Sequence, residues 1–155
     1  EGTSSVDGRA AGFRKIIDSQ FPDVEIIVEQ TANFNMTEAM DVMANIIESQ
    51  GAENIDIVFA HNDGMALGAI QAIKDAGLTP GQDIKVIAID GQKEALDAII
   101  AGEMIASVQC SPMMGPTIYE VIDKLEAGES VEAETIVPDK IFDASNAADS
   151  YDFAF

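Results

Sequence analysis

Apolar residues along this chain fall into two alternating rhythms. Short continuous apolar runs, rich in β-branched residues, occupy positions 24–28, 56–60, 85–89 and 105–108 and predict strands buried on both faces. Between them the spacing changes to three and four, predicting helices. The stripes are Val6, Ala10, Phe13 and Ile17; Met36, Ala39, Met40, Met43, Ile46 and Ile47; Ala66, Ala69, Ile70 and Ile73; Leu96, Ile99 and Ile100; and Ile118, Val121, Ile122 and Leu125. Punctuation falls where the rhythm changes. Pro22 ends the first helix, Gly51 the second, Gly77 with Thr79-Pro80-Gly81 the third, Gly102 the fourth and Gly128 the fifth. Asn35 followed by Glu38 reads as a capping box, and Pro112 and Pro116 open the last helix. Residues 135–137 and 140–142 predict short final strands. The stretch from Ala144 reads as a loosely ordered tail with Tyr151, Phe153 and Phe155 as docking aromatics. Strand and helix thus alternate about four times across short loops, which predicts a doubly wound, mostly parallel α/β sheet flanked by helices, in one domain without internal repeats.

Composition narrows the partners more than the fold. The chain has 155 residues, 47% hydrophobic, with 28 acidic and 8 basic side chains and a formal charge of −20. With no basic stripe to neutralise phosphates, nucleic acid is excluded as a partner, and an anionic membrane surface would repel it. Cys110 is the sole cysteine and His61 the sole histidine, so neither an internal disulfide nor a Cys/His metal cluster is expected. No cofactor motif is present either: G-x-G-x-x-G, G-x-x-x-x-G-K-[ST] and G-x-S-x-G are all missing. No apolar run approaches the roughly 20 residues that span a bilayer. The chain opens at Glu1 without a signal peptide or a Met and reads as a piece of a longer protein.

Candidate chemistry gathers at the strand-to-helix corners, where an α/β sheet presents groups to a ligand. Those corners hold Asn33 and Phe34, then His61, Asn62 and Asp63, then Asp90, then Gln109. Arg9 joins the same rim if a strand precedes Glu1. Carboxylate and amide oxygens accept from hydroxyls, Arg and Asn donate, and an aromatic ring covers an apolar C–H face, so the set suits a neutral polyhydroxylated ligand. Each residue has a plainer role open to it: Arg9 a surface ion pair, Phe34 a plug at the sheet edge, Asn62 and Asp63 helix caps, Asp90 before Gly91 a turn former. Co-location on one rim is what favours the ligand. Cys110 reads as a buried structural thiol, and an Asp63–Asp90 magnesium or phospho-acceptor pair lacks the acidic pair expected after a first strand.

The segments Gly2-Thr3-Ser4, Arg9-Ala10-Ala11-Gly12-Phe13, Ala32-Asn33-Phe34, Ala60-His61-Asn62-Asp63-Gly64-Met65-Ala66-Leu67-Gly68-Ala69, Ile89-Asp90-Gly91 and Ala106-Ser107-Val108-Gln109 occur in an order and spacing that resemble the C-terminal lobe of periplasmic sugar-binding proteins of the ribose-binding type. These are the substrate-capturing subunits of ABC transporters. Residues 60–83 and Ser111-Pro112-Met113-Met114-Gly115-Pro116 look especially similar to the galactofuranose-binding branch. The resemblance implies a Rossmann-like lobe over residues 1–143 with a tail at 144–155. It implies Arg9, Asn62, Asp90 and Gln109 as hydrogen-bonding sugar contacts, Phe34 packing on the ring, and Asp63 as a structural cap. It also implies a binding protein rather than an enzyme, without cofactor, catalytic residue or metal, working with a membrane permease in a periplasm or on a cell surface, free or lipid-anchored. The N-terminal lobe of such proteins has no counterpart here, and the helix at 112–128 is the one that packs on it in relatives. Two expectations follow: weak or undetectable monosaccharide binding by half a cleft, and self-association through the helix left without its partner. The same lobe also serves sugar-responsive transcription repressors as their effector-binding half. The enzymatic alternative is a sugar- or phosphate-processing hydrolase.

Overall fold

A computed structural model describes residues 4–155. Helix α1 (Ser4–Gln20) is followed by an extended segment, then α2 (Met36–Gln50), strand β1 (Ile57–Phe59), α3 (Asp63–Asp75), β2 (Lys85–Asp90), α4 (Lys93–Ile100), β3 (Ala106–Gln109), α5 (Gly115–Glu126) and β4 (Ile141–Asp143). The four strands lie side by side in sequence order. β1, β2 and β3 run parallel, with Val58 opposite Val86 and Ala88 opposite Ser107, and β4 closes the far edge antiparallel, with Phe142 opposite Ser107. Among the described residues no helix is long and apolar enough to cross a membrane.

The core forms where α3 and α4, the two crossover helices, meet the sheet and one another. Ile70, Ile73, Ile84, Val86, Leu96, Ile99, Met104 and Phe142 are almost completely buried there. α2 packs closely on α3, and Gly68 permits it: a β-carbon there would lie 2.2 Å from the Met36 carbonyl oxygen. Asn35 caps α2 as expected, its Oδ1 accepting from the Glu38 N–H at 3.0 Å. The reciprocal half of the box does not form. Glu38 accepts from Asn33 Nδ2 at 2.7 Å, while the Asn35 N–H donates to the Ala32 carbonyl.

One buried carboxylate joins the loops above the sheet. Asp63 is completely buried at the start of α3. Its Oδ2 accepts from the Gly91 and Gln92 N–H groups, both at 2.7 Å, and its Oδ1 from the Ser107 hydroxyl at 2.6 Å. Ser107 Oγ also accepts from Gly91 N at 3.1 Å. The corners that follow β1 and β2 and the strand β3 are thereby tied to one side chain. Burial pushes the Asp63 carboxyl above its ordinary value, against the pull of the Ser107, Gln92 and Gly91 hydrogen bonds.

Several expected features differ. Residues 24–28 are extended but join no ladder among the described residues, and Val24 and Ile27 are about half exposed. A cavity of about 440 Å³ separates this segment from β1, so the outer edge of β1 is open. Residues 135–137 are likewise not a strand, since no neighbouring strand offers them a ladder. The residues after Ala144 are partly packed rather than loose: Ala147, Ser150 and Ala154 are buried and two 3-10 turns, Ala147–Asp149 and Tyr151–Phe153, order the segment, while Phe153 and Phe155, expected to dock, stay exposed. Cys110, expected buried, is exposed one residue past the end of β3.

Replacing Asp63 by Asn sets an NH₂ group against the buried backbone N–H donors, of which Gly91 keeps only its 3.1 Å bond to Ser107 Oγ. Asp63→Asn is expected to lower unfolding free energy by about 2–4 kcal/mol, read from urea midpoints, whereas a loss under about 0.5 kcal/mol would deny the junction its role.

Candidate functional site

The corners at the carboxyl ends of β1, β2 and β3 open on the same side of the sheet, and the residues expected there divide into those that meet and those that do not. Arg9 reaches over from α1. Its Nη2 donates to Asp90 Oδ1 at 3.1 Å and its Nη1 donates to the His61 carbonyl. The pair is largely shielded, with side chains 17% and 18% exposed. α1 is placed for this reach by the stack of Phe13 on Phe59, centroids 4.5 Å apart and planes within 18°, and Phe59 in turn lies 5.2 Å from the His61 ring.

Asp90 is the last residue of β2, and its backbone is unusual. Its φ of 132° lies where side chains are rarely tolerated, and Gly91 continues at φ 80°. A β-carbon on Gly91 would strike the Phe142 ring at 2.5 Å, so the turn after Asp90 needs glycine. Among the described residues two other non-glycine positions have positive φ: Asn33 at 51° and Phe34 at 56°. All three belong to the loops expected to meet a ligand. Strain of this kind costs about 1–3 kcal/mol per residue and persists only where surrounding contacts enforce it. Burial raises the Asp90 carboxyl above its ordinary value, with the Arg9 guanidinium opposing the shift. Burial and the same guanidinium lower the His61 imidazole, which keeps it neutral near pH 7.

Asn62 and Asp63 divide the corner differently from the expected cap assignment. Asn62 is the N-cap of α3, its Oδ1 accepting from the Met65 N–H at 2.8 Å, and its Nδ2 has no partner among the described residues. Asp63 instead holds the next loop, so it is structural but does not cap its own helix. Gln109 lies beside Asp90 across the β2–β3 ladder, and the Cys110 N–H donates to the Asp90 carbonyl at 2.9 Å. The Gln109 side chain is mostly buried and donates through Nε2 to the Phe153 carbonyl at 2.8 Å, leaving Oε1 as its unspent acceptor. Phe34 stands somewhat apart. It is 40% exposed at the mouth of the cavity that also touches His61, and no hydrogen bond or ring contact joins it to Arg9, Asp90 or Gln109.

Three participants went unnoticed in the sequence. Ser107 left a signal, since a hydroxyl inside an apolar strand requires a buried partner. The His61 and Phe153 carbonyls left none, because a backbone acceptor is invisible to residue type. Chemically, the rim offers a fixed cation–carboxylate pair, a free amide donor and an amide acceptor, with an aromatic ring at the side. These groups suit hydroxyls at defined positions. Asp63, its oxygens already committed to three donors, does not join Asp90 as a metal pair.

Comparison with known proteins gives this arrangement its context. The family described as periplasmic binding protein domain matches residues 1–130. The galactofuranose-binding protein YtfQ of Escherichia coli (strain K12) is 39% identical over 124 residues, covering 79% of this chain and 39% of its own length. The ribose import binding protein RbsB of Bacillus subtilis (strain 168) is 36% identical over 141 residues, 90% of this chain and 43% of its own. A solved structure of the periplasmic binding component of the arabinose ABC transporter from Shewanella sp. ANA-3, bound to α- and β-L-arabinofuranose, superposes with a TM-score of 0.81 at 36% identity, over 94% of this chain and 48% of that one. The chain therefore spans less than half the length of these relatives. The mostly parallel sheet with its flanking helices is their Rossmann-type fold, and this chain belongs to the periplasmic binding protein domain family as a lobe-sized member related to ribose- and galactofuranose-binding proteins of ABC transporters.

Proposed function

We propose that this chain is the C-terminal lobe of the solute-binding component of a carbohydrate ABC transporter, holding a monosaccharide in its furanose form against the rim above the sheet. The observation that carries the reading is the shielded Arg9–Asp90 pair at the end of β2, on a backbone strained at Asp90. Asp90 accepts from two sugar hydroxyls or from one and Arg9, Arg9 donates through its remaining N–H groups, Asn62 donates through Nδ2, and Gln109 accepts through Oε1. Phe34 covers the C–H face of the ring. Support for a furanose comes from the relatives named for galactofuranose and bound to arabinofuranose. In this reading a companion lobe closes over the rim, a membrane permease accepts the sugar, and the protein works in a periplasm or at the cell surface. No reaction is assigned, since Cys110 and His61 share no hydrogen bond and the rim otherwise lacks a nucleophile with a base.

Half a cleft leaves one side of the sugar in water, so affinity in this chain alone should be weaker than micromolar. Titration with a panel of pentoses and hexoses, followed by amide NMR, is expected to shift residues 33–34, 61–63, 90–91 and 109–110 selectively. Asp90→Ala should weaken that binding roughly ten- to hundred-fold, the effect of removing a charged hydrogen-bonding partner. Shifts elsewhere, or an unaffected variant, would reject the rim as the site.

Acidification supplies a second test. Sugar binding uses the ionised Asp90, and its carboxyl is raised, so affinity should fall as pH drops through a window above the usual carboxylate value of about 4. The same shift has the opposite sign for stability. The folded chain takes up the Asp90 proton before the unfolded chain does, so this group's contribution to stability declines as pH rises through its raised value.

Asp90→Gly separates strain from recognition. Glycine adopts the φ of 132° without penalty, so this variant should gain about 1 kcal/mol in thermal or urea unfolding while losing sugar binding. Reduced stability in Asp90→Gly would show that the pair with Arg9 outweighs the strain.

A further inference from the structure

Turned by 180°, an amide side chain keeps its shape but exchanges a donor for an acceptor, so a free glutamine can meet either kind of group. Gln109 lacks that freedom. Its main-chain N–H donates to the Lys140 carbonyl at 2.7 Å, and its Nε2 donates to the Phe153 carbonyl at 2.8 Å. The Lys140 ammonium lies over the Phe153 ring, 3.4 Å from its centroid. Gln109 at the end of β3, Lys140 just before β4 and Phe153 in the turn Tyr151–Phe153 thus close a ring of three contacts. The turn is anchored in its own right. Ser150 and Ala154 on either side of it are buried, the Tyr151 hydroxyl donates to Asp97 of α4, and the Phe155 carbonyl accepts from the Lys93 N–H at 3.2 Å.

A carbonyl only accepts, so the end of the amide facing Phe153 is the NH₂ and the end left over is Oε1. The Gln109 side chain is mostly buried, yet no buried side-chain nitrogen or oxygen among the described residues lacks a partner. Oε1, which has none, therefore reaches solvent, next to Asp90 in the β2–β3 ladder. A flipped amide would press Oε1 against the Phe153 carbonyl and leave that carbonyl without its donor, an arrangement that a mostly buried position penalises. Asn62 is fixed in the opposite sense: its Oδ1 is taken by the Met65 N–H, and its Nδ2 is the open end. The two rim amides thus present opposite polarities, each set by a backbone group behind it.

We propose that the turn Tyr151–Phe153, steadied by Lys140, positions Gln109 as an acceptor in the sugar site, so that the hydroxyl meeting it must donate its proton. The inference rests on the sugar reading, since it assigns one contact of that site its polarity. Without sugar, the Gln109 side-chain NH₂ signals, assigned by their loss in Gln109→Met, should exchange with solvent more slowly than those of exposed Gln20, and Phe153→Ala should remove the protection. Titrated with D-ribose by NMR, Phe153→Ala and Lys140→Gln should each bind about three- to tenfold more weakly, whereas Phe153→Tyr, which keeps the ring, should retain the affinity of the unaltered chain. Both positions are exposed, so unchanged urea midpoints should separate a lost contact from a lost fold. Among monodeoxyfluoro analogues of D-ribose, whose fluorine accepts but cannot donate, at least one should bind more weakly than D-ribose and lose that penalty in Phe153→Ala. A rapidly exchanging Gln109 amide would overturn the positioning role and leave the sugar reading standing. So would ribose affinity and fluorine penalties untouched by Phe153→Ala while Asp90→Ala still weakens binding. Ribose producing no rim shifts beside a protected Gln109 amide would defeat the sugar reading, and this role with it.

Discussion

A carboxylate sealed inside a protein is stable only if its oxygens are met by donors, and the upper edge of this sheet is organised around meeting that demand at Asp63. Two backbone N–H groups and one hydroxyl converge on it from the β2–α4 loop and from strand β3. The convergence fixes the β2–α4 turn relative to the start of α3, and Asp90 sits immediately before that turn. A carboxylate whose backbone is strained needs such an anchor on its next residue. Without it, the Asp90–Gly91 peptide would relax and the reach from Arg9 would lose its target. The acids of two neighbouring corners thus spend their oxygens differently, Asp63 on donors from inside the body and Asp90 on Arg9.

Much of this was legible in the residue pattern. The apolar runs that became β1, β2 and β3 were found by their β-branched residues, but the expected burial on both faces holds on one face only: Val86, Ala88 and Ser107 are sealed, whereas Ile57 and Val108 stay 53% and 39% exposed. Helix limits followed from Asn35, Gly51 and Gly102 because caps act through local backbone geometry. The run at 24–28 misled for the opposite reason. β-branching reports fitness for a sheet, but a strand exists only as half of a ladder, and the partner edge is a long-range fact. The tail misled similarly: its small residues look loose until the 147–149 turn packs against α4 and the Phe153 carbonyl accepts from Gln109 at the end of β3.

The rim residues were found by type and position, yet their connections were not. Arg9 and Asp90 are 81 residues apart in sequence and meet because Phe13 lies on Phe59, a packing event with no local signature. Asn62 and Asp63 are both good cap residues, and which one caps α3 depends on the position of Gly91 in space. The fold therefore brings Arg9, Asp90 and Gln109 to one rim, but divides the labour among them by contacts that only the folded chain contains.

The return of the chain from Lys140 to the side of β3 has an architectural consequence. In modular terms the body is a β3–β4 hairpin with its loop replaced by a long insert, both of whose junctions are already hydrogen-bonded neighbours. Everything between them is exchangeable cargo as far as the sheet is concerned. Natural variation or engineering can lengthen, shorten or swap that insert without redesigning the core, while whatever it carries is delivered directly beside Asp90 and Gln109.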